Sequence, residues 1–463
     1  MKSTSPPGPG DRAVLVSAQL PGVSDVELQA SLDELQRLAK TLGLRTVARI
    51  SQARPHTKAP TVLGAGKLTE LARWTGGDGI VPAGATKRRT GAMPAEAEPL
   101  PEPLPPADED AAEPDPADRA GVVLFDHDLS PAQIRNLEGA TSAEVLDRTS
   151  VILSIFQRHA RTREARLQVE IARLTYLAPR LRATGAGKDR QRGGIGGKGA
   201  GESALELDRR RVRDRIAELR HELVAAQQET DLRRARRARR DTVALVGYTN
   251  AGKSSLMRGL TGSQVLVRNQ LFATLDTTVR QLAPAARPPV LVSDTVGFIK
   301  KLPHDLVASF RSTLAEARDA ALLLNVVDVS DPVWLDQLQV TRDVLAELNA
   351  SEVPSLLLLN KVDRLDEEAA AALRAEYPEA LLLSAHRPAD VAMLHARILA
   401  FFEREMIEAE LLVSYSDGGL VHRIHESCRV LSEEHGEDGT RLRVRTHLNR
   451  VEAWVSEGAR RLL

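Results

Sequence analysis

The sequence predicts a multidomain α/β protein, and three patterns carry that prediction. First, an apolar run (Val243, Ala244, Leu245, Val246) leads straight into Gly247-Tyr248-Thr249-Asn250-Ala251-Gly252-Lys253-Ser254, and a helix-like stretch follows from Ser255 to Leu260. Second, short apolar runs alternate with helix-like stretches from there to about residue 405, as in a doubly wound, mostly parallel sheet. Third, residues 157–240 carry two apolar stripes at helical spacing around one glycine-rich loop, which favours a long antiparallel helical hairpin.

Taken in order, residues 11–156 read as an N-terminal α/β subdomain. Ala13 to Leu20 and Thr46 to Ile50 are strand-like, while Leu28 to Thr41 and Lys67 to Trp74 have helical spacing. Gly64-Ala65-Gly66-Lys67 lacks the long spacing of a phosphate loop and is expected to be a turn, as is Gly185-Ala186-Gly187-Lys188. Residues 82–118 are dominated by Pro, Ala, Glu and Asp. No face there could bury apolar area, so a disordered insertion is expected. Gly121 to Phe125 then reads as a buried strand, Ser130-Pro131 opens a helix, and Ser150 to Phe156 closes the subdomain.

In the hairpin, Leu167, Ile171, Leu174 and Leu177 form one stripe and Val212, Ile216, Leu219 and Leu223 the other. The loop 185–201 mixes glycines with Lys188, Arg190, Arg192 and Lys198, and arginines crowd both arms. A basic, flexible tip on a rigid arm suits a phosphate backbone, although a charged helix face is commonly just solvated. Without an aromatic RNA-binding motif, recognition would be by shape and charge. Residues 241–405 form the predicted P-loop domain. Residues 410–463 form a small C-terminal α/β domain, with Leu420 to Leu431 helical and Arg441 to His447 a strand.

Bulk properties narrow the function classes. The 463 residues suggest about three domains, and 42% apolar with 27% charged residues is ordinary for a protein with real cores. The formal net charge is zero, so any nucleic-acid contact must come from a local patch. A lone cysteine, Cys428, excludes an internal disulfide and a multi-cysteine zinc site. No apolar run approaches the ~20 residues of a membrane span, and the N-terminus lacks a signal-peptide core. A cytoplasmic monomer is the expectation.

The Gly247–Ser254 segment has the chemistry of a phosphate cradle. Glycines let backbone N–H groups wrap the anion, Lys253 reaches the β- and γ-phosphates, and the Ser254 hydroxyl takes a place on Mg2+. Asp294-Thr295-Val296-Gly297 follows a strand, where the acid can hold magnesium through water and the glycine amide can sense the γ-phosphate. Asn360-Lys361-Val362-Asp363 selects the base. A carboxylate at 363 accepts from guanine N1–H and the exocyclic amine, Lys361 lies over the ring, and Asn360 ties this loop to the phosphate loop. Ser384-Ala385-His386 ends the next strand, where an amide can reach guanine O6. The order and spacing predict a GTPase rather than an ATPase.

Several stretches resemble the HflX GTPases: Phe272-Ala273-Thr274-Leu275-Asp276, Asp128 to Glu138 with Gln133 and Asn136, Gln168 to Leu174, Gly193 to Gly196, Gly201-Glu202 and Asp208-Arg209-Arg210. The likeness spans nearly the whole chain except the insertion. It implies a ribosome-associated factor that binds the large ribosomal subunit and splits stalled or idle ribosomes. It also implies that Thr274 is the switch threonine on magnesium, beside Ser254 and Asp294, so that Lys253, Thr274 and Gly297 serve catalysis. Thr277 and His386 depart from the family's usual proline and lysine.

Phe298 stands where Ras-like switches carry a water-orienting glutamine, so slow intrinsic hydrolysis is expected until a partner completes the site. Asn250 stands where potassium-dependent GTPases hold a monovalent cation; K+ there could do an arginine's electrostatic work, and a plain turn residue is the alternative. A GTP-switched scaffold acting through a protein partner is the second functional reading.

Overall fold

The computed structural model describes residues 10–81, 119–184, 204–237, 241–262, 271–272, 278–300 and 316–462. It divides into two compact units, one of Met1–Ala160 with Arg166–Glu222 and one of Arg161–Ala165 with Leu223–Leu463.

The first unit holds a four-stranded parallel sheet. Its elements run β1 (Arg12–Gln19), α1 (Asp25–Thr41), β2 (Arg45–Ala53), α2 (Ala65–Thr75), β3 (Val122–Phe125), α3 (Pro131–Thr141), β4 (Glu144–Asp147) and α4 (Arg148–His159). The strand order is β2-β1-β3-β4. Strand β1 lies inside the sheet and is apolar on both faces, as a parallel strand covered by helices must be. Two helices begin where their sequences dictate. Ser24 with Glu27, and Ser130 with Gln133, form reciprocal capping boxes, and Pro131 sits in the first turn of α3. Val14, Val16, Val123, Phe125 and Leu137 build the core between them.

One expectation fails here. Gly64 is the N-cap of α2, and Ala65, Gly66 and Lys67 are already helical, so the segment opens a helix instead of forming an isolated turn. Gly64 N–H donates to the Gln52 side chain at 2.8 Å, a tertiary contact that substitutes for a side-chain cap. The Gly185–Lys188 segment and the 82–118 insertion lie outside the described residues.

The two long helices are α5 (Arg163–Thr184) and α6 (Ala204–Arg237). Arg215 of α6 reaches Glu170 of α5 at 3.4 Å, the cross-arm contact of a hairpin.

In the second unit the chain continues through β5 (Asp241–Gly247), α7 (Lys253–Thr261), β6 (Thr278–Gln281), β7 (Val290–Asp294), β8 (Leu322–Asp328), α8 (Trp334–Glu347), β9 (Ser355–Asn360), α9 (Glu367–Glu376), β10 (Leu381–Leu383) and α10 (Pro388–Glu403). These strands form a six-stranded sheet in the order β10-β9-β8-β5-β7-β6, parallel except for β6 against β7. Val243, Leu245, Val292, Leu324 and Leu358 join Leu256, Leu260, Leu394 and Ile398 in its core. Burial on both faces forces the near-continuous apolar runs seen in the sequence.

The C-terminal part is β11 (Ile407–Val413), α11 (Gly418–Ser427), β12 (Arg429–Gly436), β13 (Gly439–Thr446), α12 (Leu448–Ser456) and β14 (Arg460–Arg461), with an antiparallel sheet in the order β12-β13-β11-β14. The expected helix over Leu420–Leu431 stops at Ser427, and Arg429–Leu431 belong to β12. Cys428 is extended (φ −148), and Val430 turns onto the core while pairing with Val444. Pairing with a partner strand overrides the helical spacing there. Among the described residues no helix is long and apolar enough to cross a membrane.

Candidate functional site

Strand β5 delivers Gly247 to Gly252 as a loop, and α7 starts at Lys253. Two glycines are imposed by close approach. Gly247 has φ +141, and a Cβ there would lie 2.2 Å from the Val326 carbonyl oxygen of β8. Gly252 has φ +103, and a Cβ would lie 2.2 Å from Asn360 Nδ2. Lys253 is buried, and its ammonium donates to the carbonyls of Gly247 (2.9 Å) and Tyr248 (2.7 Å). Burial pushes its pKa down to about 8, which the Asp294 charge opposes. A dehydrated cation at a helix N-terminus is an anion site by electrostatics alone. Asn250 has φ +62, and Ala251 is buried.

The end of β7 faces this loop. Ser254 Oγ donates to Asp294 Oδ2 at 2.7 Å, and the carboxylate is buried. Thr295 Oγ1 donates to the Leu245 carbonyl at 2.7 Å, pinning β7 to β5 beyond the regular ladder. Val296 is buried, and Gly297 has no room for a side chain: a Cβ would lie 2.8 Å from Thr249 Cα and 2.9 Å from Lys253 Nζ. Phe298 is 1% exposed, so its ring is core. The buried ring offers nothing to an attacking water.

Loops at the ends of β9 and β10 complete the rim. Asn360 is the hinge of the three loops: its Nδ2 donates to the Ala251 carbonyl (2.7 Å) and its Oδ1 accepts from Ala385 N–H (3.0 Å). Lys361 takes φ +68, and its ammonium pairs with Asp328 of β8 at 2.5 Å. Val362, Asp363 and Arg364 form a short 3-10 turn. Asp363 is exposed, and a hydrogen bond from the Ser384 hydroxyl holds its carboxyl below the usual range despite some desolvation. Ser384 is buried, its N–H donates to Asp390 (2.7 Å), and its hydroxyl accepts from His386 N–H (3.2 Å).

The structure therefore brings Gly247–Ser254, Asp294–Gly297, Asn360–Asp363 and Ser384–His386 to one end of the sheet. Phe272 is described, buried with φ +56, while Ala273, Thr274, Leu275 and Asp276, like Lys188, Arg190, Arg192 and Lys198, lie outside the described residues. Sequence reasoning missed Asp328, which holds Lys361, and Asp390, which holds Ser384. Asp328 is legible in hindsight as an acid ending the strand beside β9. Asp390 carries no such signal.

The donors at Ser254 and Asp294 are hard oxygens at the mouth of the phosphate loop, suited to a small divalent cation that keeps water and phosphate oxygens. Among the described residues there is no cluster of at least three His, Cys, Asp or Glu able to hold a metal.

Comparison with known proteins decides the family. The chain is 58% identical over 449 residues to GTPase HflX of Gluconacetobacter diazotrophicus, covering 96% of each. It belongs to the HflX GTPase family. GTPase HflX of Escherichia coli is 37% identical over 437 residues, 93% of this chain and 92% of that one. Residues 29–80 and 110–157 match the family described as GTP-binding GTPase N-terminal, 159–237 the GTP-binding GTPase middle region, and 242–361 the 50S ribosome-binding GTPase. Among solved structures, a GTP-binding protein from the archaeon Sulfolobus solfataricus in complex with GDP is 20% identical, covering 84% of this chain and 98% of that one, with a TM-score of 0.43.

As an HflX GTPase the chain has a use for its N-terminal motif that is structural. Gln133 Nε2 donates to the carbonyls of Thr57 and Ala59, and Asn136 Nδ2 to that of Pro60, so this motif clamps the loop between β2 and α2.

Proposed function

We propose that this HflX GTPase binds the large ribosomal subunit and, with GTP bound, splits stalled or idle ribosomes in the cytoplasm, acting as a monomer. The observation that carries the reading is continuity: the arginine-rich helix α6 ends at Arg237, and the strand that bears the phosphate loop begins at Asp241. With α6 and β5 consecutive in the chain, occupancy of the nucleotide site has a short covalent path to the arm in this reading. The match of residues 242–361 to the 50S ribosome-binding GTPases supports the choice of partner. In this reading Lys188, Arg190, Arg192 and Lys198 neutralise RNA phosphates at the tip.

At the nucleotide, the amides of the Gly247–Ser254 loop and Lys253 hold the phosphates, Asp363 reads guanine, and the Gly297 amide senses the γ-phosphate. Ser254, Asp294 and Thr274 would hold Mg2+, which neutralises charge on the phosphate oxygens. Asn250 as a ligand of K+ is a further part of the proposal, and its left-handed backbone equally serves a turn. Turnover compared in K+ and Na+ separates the two: acceleration by K+ is expected, and a flat response retires the cation.

The decisive experiment is subunit splitting on sucrose gradients with a GTP analogue. Changing Lys188, Arg190, Arg192 and Lys198 to Ala should keep GTP binding and abolish splitting. Full splitting by that variant at physiological salt rules out this loop as the working tip.

A further inference from the structure

We propose that Tyr248 is a positioning residue for GTP hydrolysis, whose hydroxyl clips the segment after Gly297 to the phosphate loop. The phosphate-loop pattern asks nothing of the side chain at its second position, so a tyrosine there is a choice the motif does not explain. The ring is buried, and its hydroxyl accepts the Lys300 N–H at 2.6 Å across 52 positions of sequence. Between these ends the two segments run as a short strand pair. Tyr248 and Phe298 form a parallel bridge, Phe298 N–H donates to the Gly247 carbonyl (3.1 Å), and Thr249 N–H donates to the Phe298 carbonyl (2.7 Å).

Those backbone bonds would survive any side chain at 248, whereas the bond to Lys300 N–H is the tyrosine's own. What the clip fixes is Gly297. The glycine lies one residue before the paired segment, so close to the phosphate loop that a Cβ there would meet Thr249 and the ammonium of Lys253. Holding Phe298 to Lys300 against the loop, with the Phe298 and Ile299 side chains buried, leaves the Gly297 backbone little freedom. A third phosphate next to Lys253 meets an amide that is already placed, so less ordering is needed when GTP binds and reacts. GDP, which lacks that phosphate, gains nothing from the clip.

The test is Tyr248→Phe, which keeps the buried ring and removes one hydroxyl. Binding of GDP should stay within about twofold, while affinity for a non-hydrolysable GTP analogue and intrinsic kcat should each fall roughly three- to tenfold, the worth of one neutral hydrogen bond. Asp336→Asn serves as control. It removes the exposed 3.3 Å ion pair with the Lys300 side chain and leaves the hydroxyl contact intact, so the GTP-to-GDP affinity ratio and kcat should not change. An equal loss of GDP and GTP-analogue affinity in Tyr248→Phe would make Tyr248 a general prop of the loop and overturn the proposal. So would an unchanged ratio, or a raised kcat, which would mark the clip as a resting clamp. The assay contains no ribosomes, so its result bears on the clip alone.

Discussion

The parallel N-terminal sheet and the mostly parallel GTPase sheet both end in polar residues at the C-terminal edges of their parallel strands, and they use those residues in opposite ways. In the N-terminal sheet the edge is filled by the protein itself. Arg148, 2% exposed, bridges Glu34 and Asp126, and Asp126 also accepts from Ser31 at 2.7 Å. Asp147, at the end of β4, accepts from Ser150, Tyr176 and Arg180, which docks helix α5 onto the sheet. Arg180 also stacks over the Tyr176 ring at 3.5 Å. In the GTPase sheet the edge is arranged differently: Lys253 rests on the carbonyls of Gly247 and Tyr248, Asp363 is exposed, and Asp294 accepts from the Ser254 hydroxyl. Charges answered by internal charges make a platform. Charges set around a cradle make a ligand site.

The largest expected effect breaks the first half of that comparison. Arg148→Met leaves Glu34 and Asp126 buried without their cation, which should cost about 3–5 kcal/mol of stability in urea unfolding. GTP affinity of the folded variant should not move. A loss below about 1 kcal/mol would mean water reaches this edge and the platform reading is wrong.

Next comes the GTPase edge. On the base-reading role proposed for Asp363, Asp363→Asn removes the acceptor for guanine's paired donors, at roughly 1–3 kcal/mol for each donor left unpaired. GTP affinity should fall accordingly and xanthosine nucleotide affinity should rise, both read by competition binding. Unchanged GTP affinity would remove Asp363 from the base site.

A smaller effect probes how the GTPase edge is kept in shape. Gly252→Ala forces a side chain into φ +103 and towards Asn360 Nδ2, which links the phosphate and base loops. Roughly 1–3 kcal/mol should be lost from nucleotide binding, with little change in secondary structure by circular dichroism.

The smallest effect belongs to the C-terminal sheet, which is antiparallel. Cys428 is buried, and desolvation pushes its thiol up to about 12 from an ordinary 9. Because the folded state keeps the proton more tightly, stability is intact below pH 9 and is lost as pH rises from 9 towards 12. At pH 10 the loss should be about 1 kcal/mol, and Cys428→Ser should flatten that limb of the pH profile. Alkylation at pH 8 should be negligible until the domain unfolds.

Much of the GTPase half could be read directly because its signals are local. Gly247, Gly252 and Lys253 answer to backbone conformation and to charge at a helix start, and both are written in adjacent residues. Asp294, Asn360 and Asp363 follow apolar runs that announce their strands. Where the reading slipped, a distant partner intervened. Helical spacing through Leu431 yielded to pairing of β12 with β13, and Gly64 became a helix cap because Gln52 reaches it.

The sequence by itself determined the nucleotide class, the strand–loop–helix that cradles phosphate, and the hairpin's two arms. These rest on periodicity and on residue types whose chemistry needs no neighbour from elsewhere. Only the tertiary structure decided that Asn360, already legible as a tie to the phosphate loop, would also accept from Ala385, that Lys361 would lean on Asp328, and that Tyr248 would reach Lys300. It alone decided that Arg148 would bridge Glu34 and Asp126 and close the edge of the N-terminal sheet. Such contacts follow from strand order and register, which place residues far apart in the chain within hydrogen-bonding reach, and no local pattern encodes that distance.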